Sequence, residues 1–220
     1  MIRDLALLDS VRRGDAPSAM RLYTWLPWAV SLGKNQPDSH IDHKAAKREG
    51  FDVVRRPTGG RAVLHANELT YCIVTHRTAT PSAQQFYAHV HQHLRSALAD
   101  VVGDFLSFEH VPPDLRRHYA SAGSLGAACF SVSAKSEIMW KGRKVVGSAQ
   151  YVDDEVILQH GSILCDTGHE RLADVLVVEN VHREDVRRGI IQGAATLTDV
   201  AGRPIAPEDI IDSITTHFTA

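Results

Sequence analysis

The chain has 220 residues, 44% of them hydrophobic and 23% charged, with a formal net charge of -2. That length can bury one sizeable core, so residues 1–220 are expected to form a single domain. The near-neutral balance offers no field for nucleic acid or a membrane surface, and no apolar run approaches the roughly 20 residues that span a bilayer. Met1-Ile2-Arg3-Asp4-Leu5 lacks the basic and apolar regions of a secretory signal. Cys72, Cys129 and Cys165 are odd in number and lack metal-like spacing, which fits free thiols in the cytoplasm.

Leu5, Leu8 and Val11 recur at helical spacing and predict a helix over 1–13, broken by Gly14-Asp15-Ala16-Pro17. Alternation predicts strands over 21–25 and 29–33, and a short helix over 38–49 is stopped by Gly50. A strand over 51–56 enters a turn at Pro57-Thr58-Gly59-Gly60, and strands follow over 61–65 and 69–75. The clearest helix spans 82–100, capped by Ser82, with Phe86, Val90, Leu94 and Leu98 on one side. Residues 112–128 read as loop or short helical turns. A strand over 136–139, a hairpin turn at Lys141-Gly142-Arg143, and strands over 144–150 and 156–164 come next. Helices over 169–177, 181–192 and 207–218 complete the chain. The layout is α+β, a mixed sheet flanked by helices.

Chemistry concentrates in a few segments. Arg55 and Arg56 precede a Gly59-Gly60 turn and a strand ending in His65. Paired glycines permit φ > 0 and close approach of backbone to a ligand, and arginines beside such a turn can neutralise an anion through forked hydrogen bonds. A plain hairpin with charged flanks is the competing reading. Lys144 leads into Gly147-Ser148-Ala149, small residues that let a substrate lie close to backbone; a surface strand lysine is the alternative. Cys129 follows Gly126-Ala127-Ala128 and suits either a nucleophile of lowered pKa or a small core residue, whereas Cys72 and Cys165 fit the core. His160-Gly161-Ser162, at a strand end, can border a pocket. His89, His91 and His93 alternate in a helix and read as a solvated face, not a metal site.

The order and spacing of these segments carry a resemblance. The run from Arg55 to His65 resembles the signature segment of lipoate protein ligases and octanoyltransferases. Gly142-Arg143-Lys144-Val145-Val146-Gly147-Ser148-Ala149-Gln150 resembles the lysine motif of the biotin/lipoate protein ligase superfamily, and the segment from Leu158 to Leu164 is similar to the one that follows it. Arg21-Leu22-Tyr23 and Ala29-Val30-Ser31-Leu32-Gly33 match the N-terminal strands. The resemblance implies a class II aminoacyl-tRNA synthetase/biotin synthetase-like catalytic domain with a bifurcated acyl cleft. Arg55, Arg56, Thr58, Gly59, Gly60, Arg61, Ala62, Val63, His65, Tyr71, Gly147, Ser148, Ala149, His160 and Gly161 would bind substrate, with Val63, Leu64, Tyr71 and Ile73 along the acyl arm.

Cys129-Phe130, followed by Glu137-Ile138, resembles the nucleophile segment of cysteine octanoyltransferases of the Bacillus type; the asparagine-aspartate pair of the ligases is absent, and Arg61 replaces a third glycine. The chain also ends too early for the accessory domain of about 80 residues that many ligases carry. The resemblance thus implies acyl transfer through a Cys129 thioester, assisted by Lys144, with no cofactor. Acyl carrier protein would be the donor, and a lipoyl domain or glycine cleavage H protein the acceptor of the octanoyl or lipoyl group. A monomer is expected. An ATP- and Mg2+-dependent lipoate ligase is the alternative, and a non-catalytic lipoyl- or biotin-binding homologue the second. Ala66 stands where the family carries an aspartate after the signature histidine, which leaves His65 without its expected acidic partner.

Overall fold

The computed structural model describes residues 1–108, 137–178 and 182–219. The expected loop over 112–128 and Cys129 lie outside the described residues.

Two sheets form the frame. The larger contains β1 (Ala19–Tyr23), β5 (Glu68–His76), β9 (Val156–Leu164), β8 (Arg143–Val152), β7 (Ile138–Trp140) and β6 (Ser107–Phe108) in that spatial order, every neighbour antiparallel. The smaller is β3 (Asp52–Arg55), β2 (Ala29–Leu32) and β4 (Val63–His65), with β2 and β3 parallel and β4 antiparallel to β2. The turn between β7 and β8 holds Lys141 and Gly142 at φ 49° and 75°, the doubly left-handed geometry that matches the twist of paired strands.

The helix α3 (Ala83–Val102) begins where expected: the Ser82 side chain accepts from the Gln85 amide. Its Val90, Leu94, Leu98 and Val102 pack on Tyr71, Ile73, Val146 and Ile163 of the large sheet. Ile210 and Ile214 of α6 (Glu208–Thr219) close the same core. Each large side chain buried there stabilises the fold by about 1.5–3 kcal/mol. A second core joins the small sheet to α2 (His43–Arg48), a 3-10 turn at His169–Asp174 and α4 (Arg183–Gly193). A third seats Leu8 and Val11 of α1 (Ile2–Arg12) on Cys72, Val74 and Leu158.

Several expectations are corrected. Leu5 of α1 is exposed, and Asp4 takes the buried position, held by Arg21 and by the Tyr23 hydroxyl at 2.6 Å. The helix expected over 38–49 is divided into a 3-10 turn at Asp38–His40 and α2, because extended Ile41 bridges to Leu176 and Asp42 then caps His43 onward. The helix expected over 169–177 is the 3-10 turn. The five-residue α5 (Leu197–Ala201), closed by a Thr196–Asp199 capping box, and the two-residue β6 were too short to show a period. His91 is not on a solvated face: it is fully buried, while the rings of His89 and His93 meet one another at 4.4 Å.

Candidate active site

The loop from Arg56 to Ala62 is shaped by one guanidinium. Arg56 donates to the Ser31 carbonyl (2.8 Å) and hydroxyl (3.1 Å) and to the carbonyls of Gly59 (3.0 Å) and Arg61 (2.7 Å). Its Nε adds a longer bond to Gly59. The loop lies against the end of β2 so closely that a Cβ on Gly33 would sit 2.0 Å from the Gly60 carbonyl oxygen. Only glycine allows that approach. The loop is latched to the large sheet by Thr58 Oγ1 and His160 Nε2, 2.7 Å apart.

Between this loop and the strands β8 and β9 lies a cleft of about 600 Å³, counting its open mouth. Its wall includes Arg56, Val63, His65, Lys144, Gly147, Ser148, Ala149, His160 and Gly161, so the structure brings these nine sequence candidates together. It does not bring Arg55, Thr58, Gly59, Gly60, Arg61, Ala62 or Tyr71 to the wall. Arg55 is exposed and donates to the carbonyls of Gly33 (2.8 Å) and Gln36 (2.7 Å), fixing the chain after β2. Tyr71 lies behind the wall, reaching Ser148 through its hydroxyl at 2.6 Å. Leu64 and Ile73 do not line this cleft either: Leu64 packs in the second core and Ile73 in the first.

Lys144 Nζ lies 2.8 Å from Glu137 Oε1, with both side chains almost wholly buried. Among the described residues, the pairing of β8 with β7 ends at Val146, and Gly147, Ser148 and Ala149 line the cleft.

His65 is held at both ring nitrogens. Nδ1 meets Glu68 Oε1 and Nε2 meets Ser31 Oγ, each at 2.7 Å, and the Trp25 ring stacks on it at 4.6 Å. In the neutral imidazole, donation from Nδ1 to Glu68 leaves Nε2 an acceptor, to which Ser31 donates while it accepts from Arg56. Glu68 also accepts from Thr70 and Ser162. A carboxylate thus meets His65 from position 68, although position 66 is alanine. Sequence reasoning missed Glu68, Glu137, Ser31, Trp25 and His91. The available signal was a carboxylate opening a mostly apolar strand at Glu68.

Burial, with Arg56 and His65 nearby, pushes His160 down to about 3, so it is neutral at pH 7. Below the ordinary histidine value the unfolded chain binds a proton that the folded chain does not, so stability falls as pH falls from about 6.5 toward 3. Burial lowers His169 too, in the same direction. Chemical denaturation at pH 6.5 and 4.5 is expected to show a loss of about 2–3 kcal/mol from His160 alone, reduced in His160→Asn. Cys165 is pushed up to about 12 by burial, and Cys72 is raised by burial and by Asp4, so neither is an activated thiol.

A family model described as the lipoyl protein ligase A/B catalytic domain matches residues 1–219. An octanoyltransferase LipM of Kyrpidia tusciae is 35% identical over 223 residues, covering 99% of this chain and 80% of its own length. The octanoyltransferase LipM of Staphylococcus aureus is 33% identical, covering 93% of this chain and 75% of its own length. Among solved structures, a bi-partite lipoate protein ligase from Thermoplasma acidophilum superposes with a TM-score of 0.72 at 17% identity, covering 98% of this chain and 76% of that one. An ATP-bound lipoate-protein ligase A superposes at 0.71 with 19% identity, covering 100% and 80%. These two share the fold. Among the described residues no helix is long and apolar enough to cross a membrane, and no cluster of three or more metal-ligating side chains occurs.

Proposed function

Because the chain belongs to the lipoyl protein ligase A/B catalytic-domain family, we propose that it is an octanoyltransferase of protein lipoylation, moving an octanoyl group to a lysine of a lipoyl domain or glycine cleavage H protein. The carrying observation is the similarity to octanoyltransferases over 99% of this chain, at 35% identity. The buried Lys144, at the wall of a cleft rimmed by small residues, supports it.

The donor is the thioester of octanoyl-acyl carrier protein, and the nucleophile is Cys129. Its thiolate attacks the thioester carbonyl carbon, the oxyanion is stabilised by the Lys144 ammonium and by backbone amides near Gly147 and Ser148, and the carrier thiol leaves. The acceptor lysine then attacks the acyl-enzyme and regenerates the thiol. A thioester is already activated toward an amine, so no ATP is required. Each methylene of the acyl chain buried along Val63 and its neighbours contributes about 0.8 kcal/mol.

Intact-mass measurement after mixing with octanoyl-acyl carrier protein is expected to show one octanoyl adduct, removed by hydroxylamine and absent from Cys129→Ser. An active enzyme that never carries the adduct would refute the covalent route. The fold shared with ATP-bound lipoate-protein ligase A supports a second reading, ligation through an acyl-adenylate. Against it, the Arg56 fork is engaged by Ser31, Gly59 and Arg61 in shaping the loop, a structural role in place of a phosphate clamp. Pyrophosphate release on adding lipoate, ATP and Mg2+ distinguishes the two.

A further inference from the structure

A second set of buried polar groups meets the cleft wall at Ser148. Gln150 Nε2 donates to the Ala83 carbonyl at 3.0 Å and to Gln159 Oε1 at 2.9 Å. A carbonyl only accepts, so the Gln150 amide has one satisfactory orientation, and Gln159 presents its own NH2 to the Tyr71 hydroxyl, 3.1 Å away. Tyr71 accepts from Gln159, and its hydrogen points to Ser148 Oγ at 2.6 Å. Burial pushes the Tyr71 phenol above its ordinary range, so it remains a fixed donor. With His91 in its Nδ1–H tautomer, Ser148 donates its own hydrogen to His91 Nε2, 2.8 Å away.

The donors therefore run one way, from Gln150 through Gln159, Tyr71 and Ser148 to His91. A hydroxyl oxygen has two lone pairs. The bond from Tyr71 uses one, and the other remains on a half-buried residue of the cleft wall. His91 itself is fully buried in α3, with the Tyr87 ring against it at 4.3 Å. A polar chain at the boundary of an apolar core is expensive to bury unless satisfied, and this one is satisfied along its length.

We infer that Ser148 and His91 form the proton-accepting relay for the acceptor lysine, Ser148 touching the amine and His91 acting through it as a positioning residue. The inference rests on the acyl-transfer reading. The lone pair of the lysine amine forms the C–N bond to the thioester carbonyl carbon, the C–S bond breaks, and its electron pair leaves on sulfur. The proton on nitrogen passes to Ser148 Oγ as the Ser148 hydrogen passes to His91 Nε2. The same path then returns a proton from His91 through Ser148 to the departing thiolate. The relay serves only the amine step, because a thiolate attacking a thioester has no proton to lose.

The test compares two acceptors with octanoyl-acyl carrier protein as donor, each above its enzyme-free rate: a lipoyl domain, and dithiothreitol, whose thiolate has no proton to lose on attack. Ser148→Ala and His91→Gln are each expected to lower the ratio of lysine to dithiothreitol transfer by about 10²-fold, with little change in KM for the lipoyl domain. Parallel loss with both acceptors, or an unchanged ratio, overturns the relay. Wild-type protein that acylates neither acceptor overturns the transferase reading and the relay with it. Ser148→Ala removes one oxygen at a half-buried site and carries the test if His91→Gln does not fold.

Discussion

Lys144→Met is expected to reduce octanoyl transfer by about 10²–10³-fold and to destabilise the fold by about 3–5 kcal/mol. The two effects have different origins. The stability loss arises because the substitution removes the cation 2.8 Å from Glu137, a carboxylate 2% exposed, and breaking a buried pair from one side costs more than the pair is worth intact. The activity loss arises because an ammonium at the cleft wall no longer meets the negative charge that develops on the carbonyl oxygen. The double variant Lys144→Met with Glu137→Leu separates them. Exchanging both charges for apolar groups is expected to restore much of the stability in urea denaturation while transfer stays lost. If the double variant regains activity together with stability, Lys144 is a structural residue only.

Much of the frame was legible because its signals are local. The serine cap and apolar face of α3, the Lys141-Gly142 turn and the apolar run of β9 each specify their own geometry over a few residues. The site was legible in part for the same reason: Lys144, Gly147, Ser148 and Gly161 share adjacent strands, and pairing of β8 with β9 sets Ser148 directly opposite Gly161. What was not legible depends on partners distant in sequence. Nothing local at Arg55 or Arg56 reveals that one turns away from the cleft and that the other is engaged by four groups of the loop and β2. His91 read as one of three alternating surface histidines, and only the seating of α3 on the large sheet brings it to Ser148, 57 residues away. The absent aspartate after His65 looked like a lost function because the substitute carboxylate reaches the ring from the start of the next strand.

Glu68→Ala is expected to be the most destabilising single change outside the apolar core, about 3–5 kcal/mol, lowering the melting midpoint by roughly 8–15 °C. Glu68 is fully buried and accepts from His65 Nδ1, Thr70 and Ser162. Alanine would leave three buried donors without that acceptor and a cavity too cramped for water to serve all of them. The damage reaches the cleft by a defined route. His65 is oriented by Glu68 on one side and Ser31 on the other, and Ser31 in turn receives the Arg56 guanidinium that shapes the signature loop. Glu68→Gln keeps one acceptor oxygen but presents an NH2 where the network offers only donors, so about half the loss is expected. The discriminating measurement is the His65 ring resonances by NMR: with Glu68 in place, the neutral ring carries its proton on Nδ1. If Glu68→Gln leaves that tautomer and the melting midpoint unchanged, the carboxylate does not orient His65, and the missing aspartate at position 66 has no substitute.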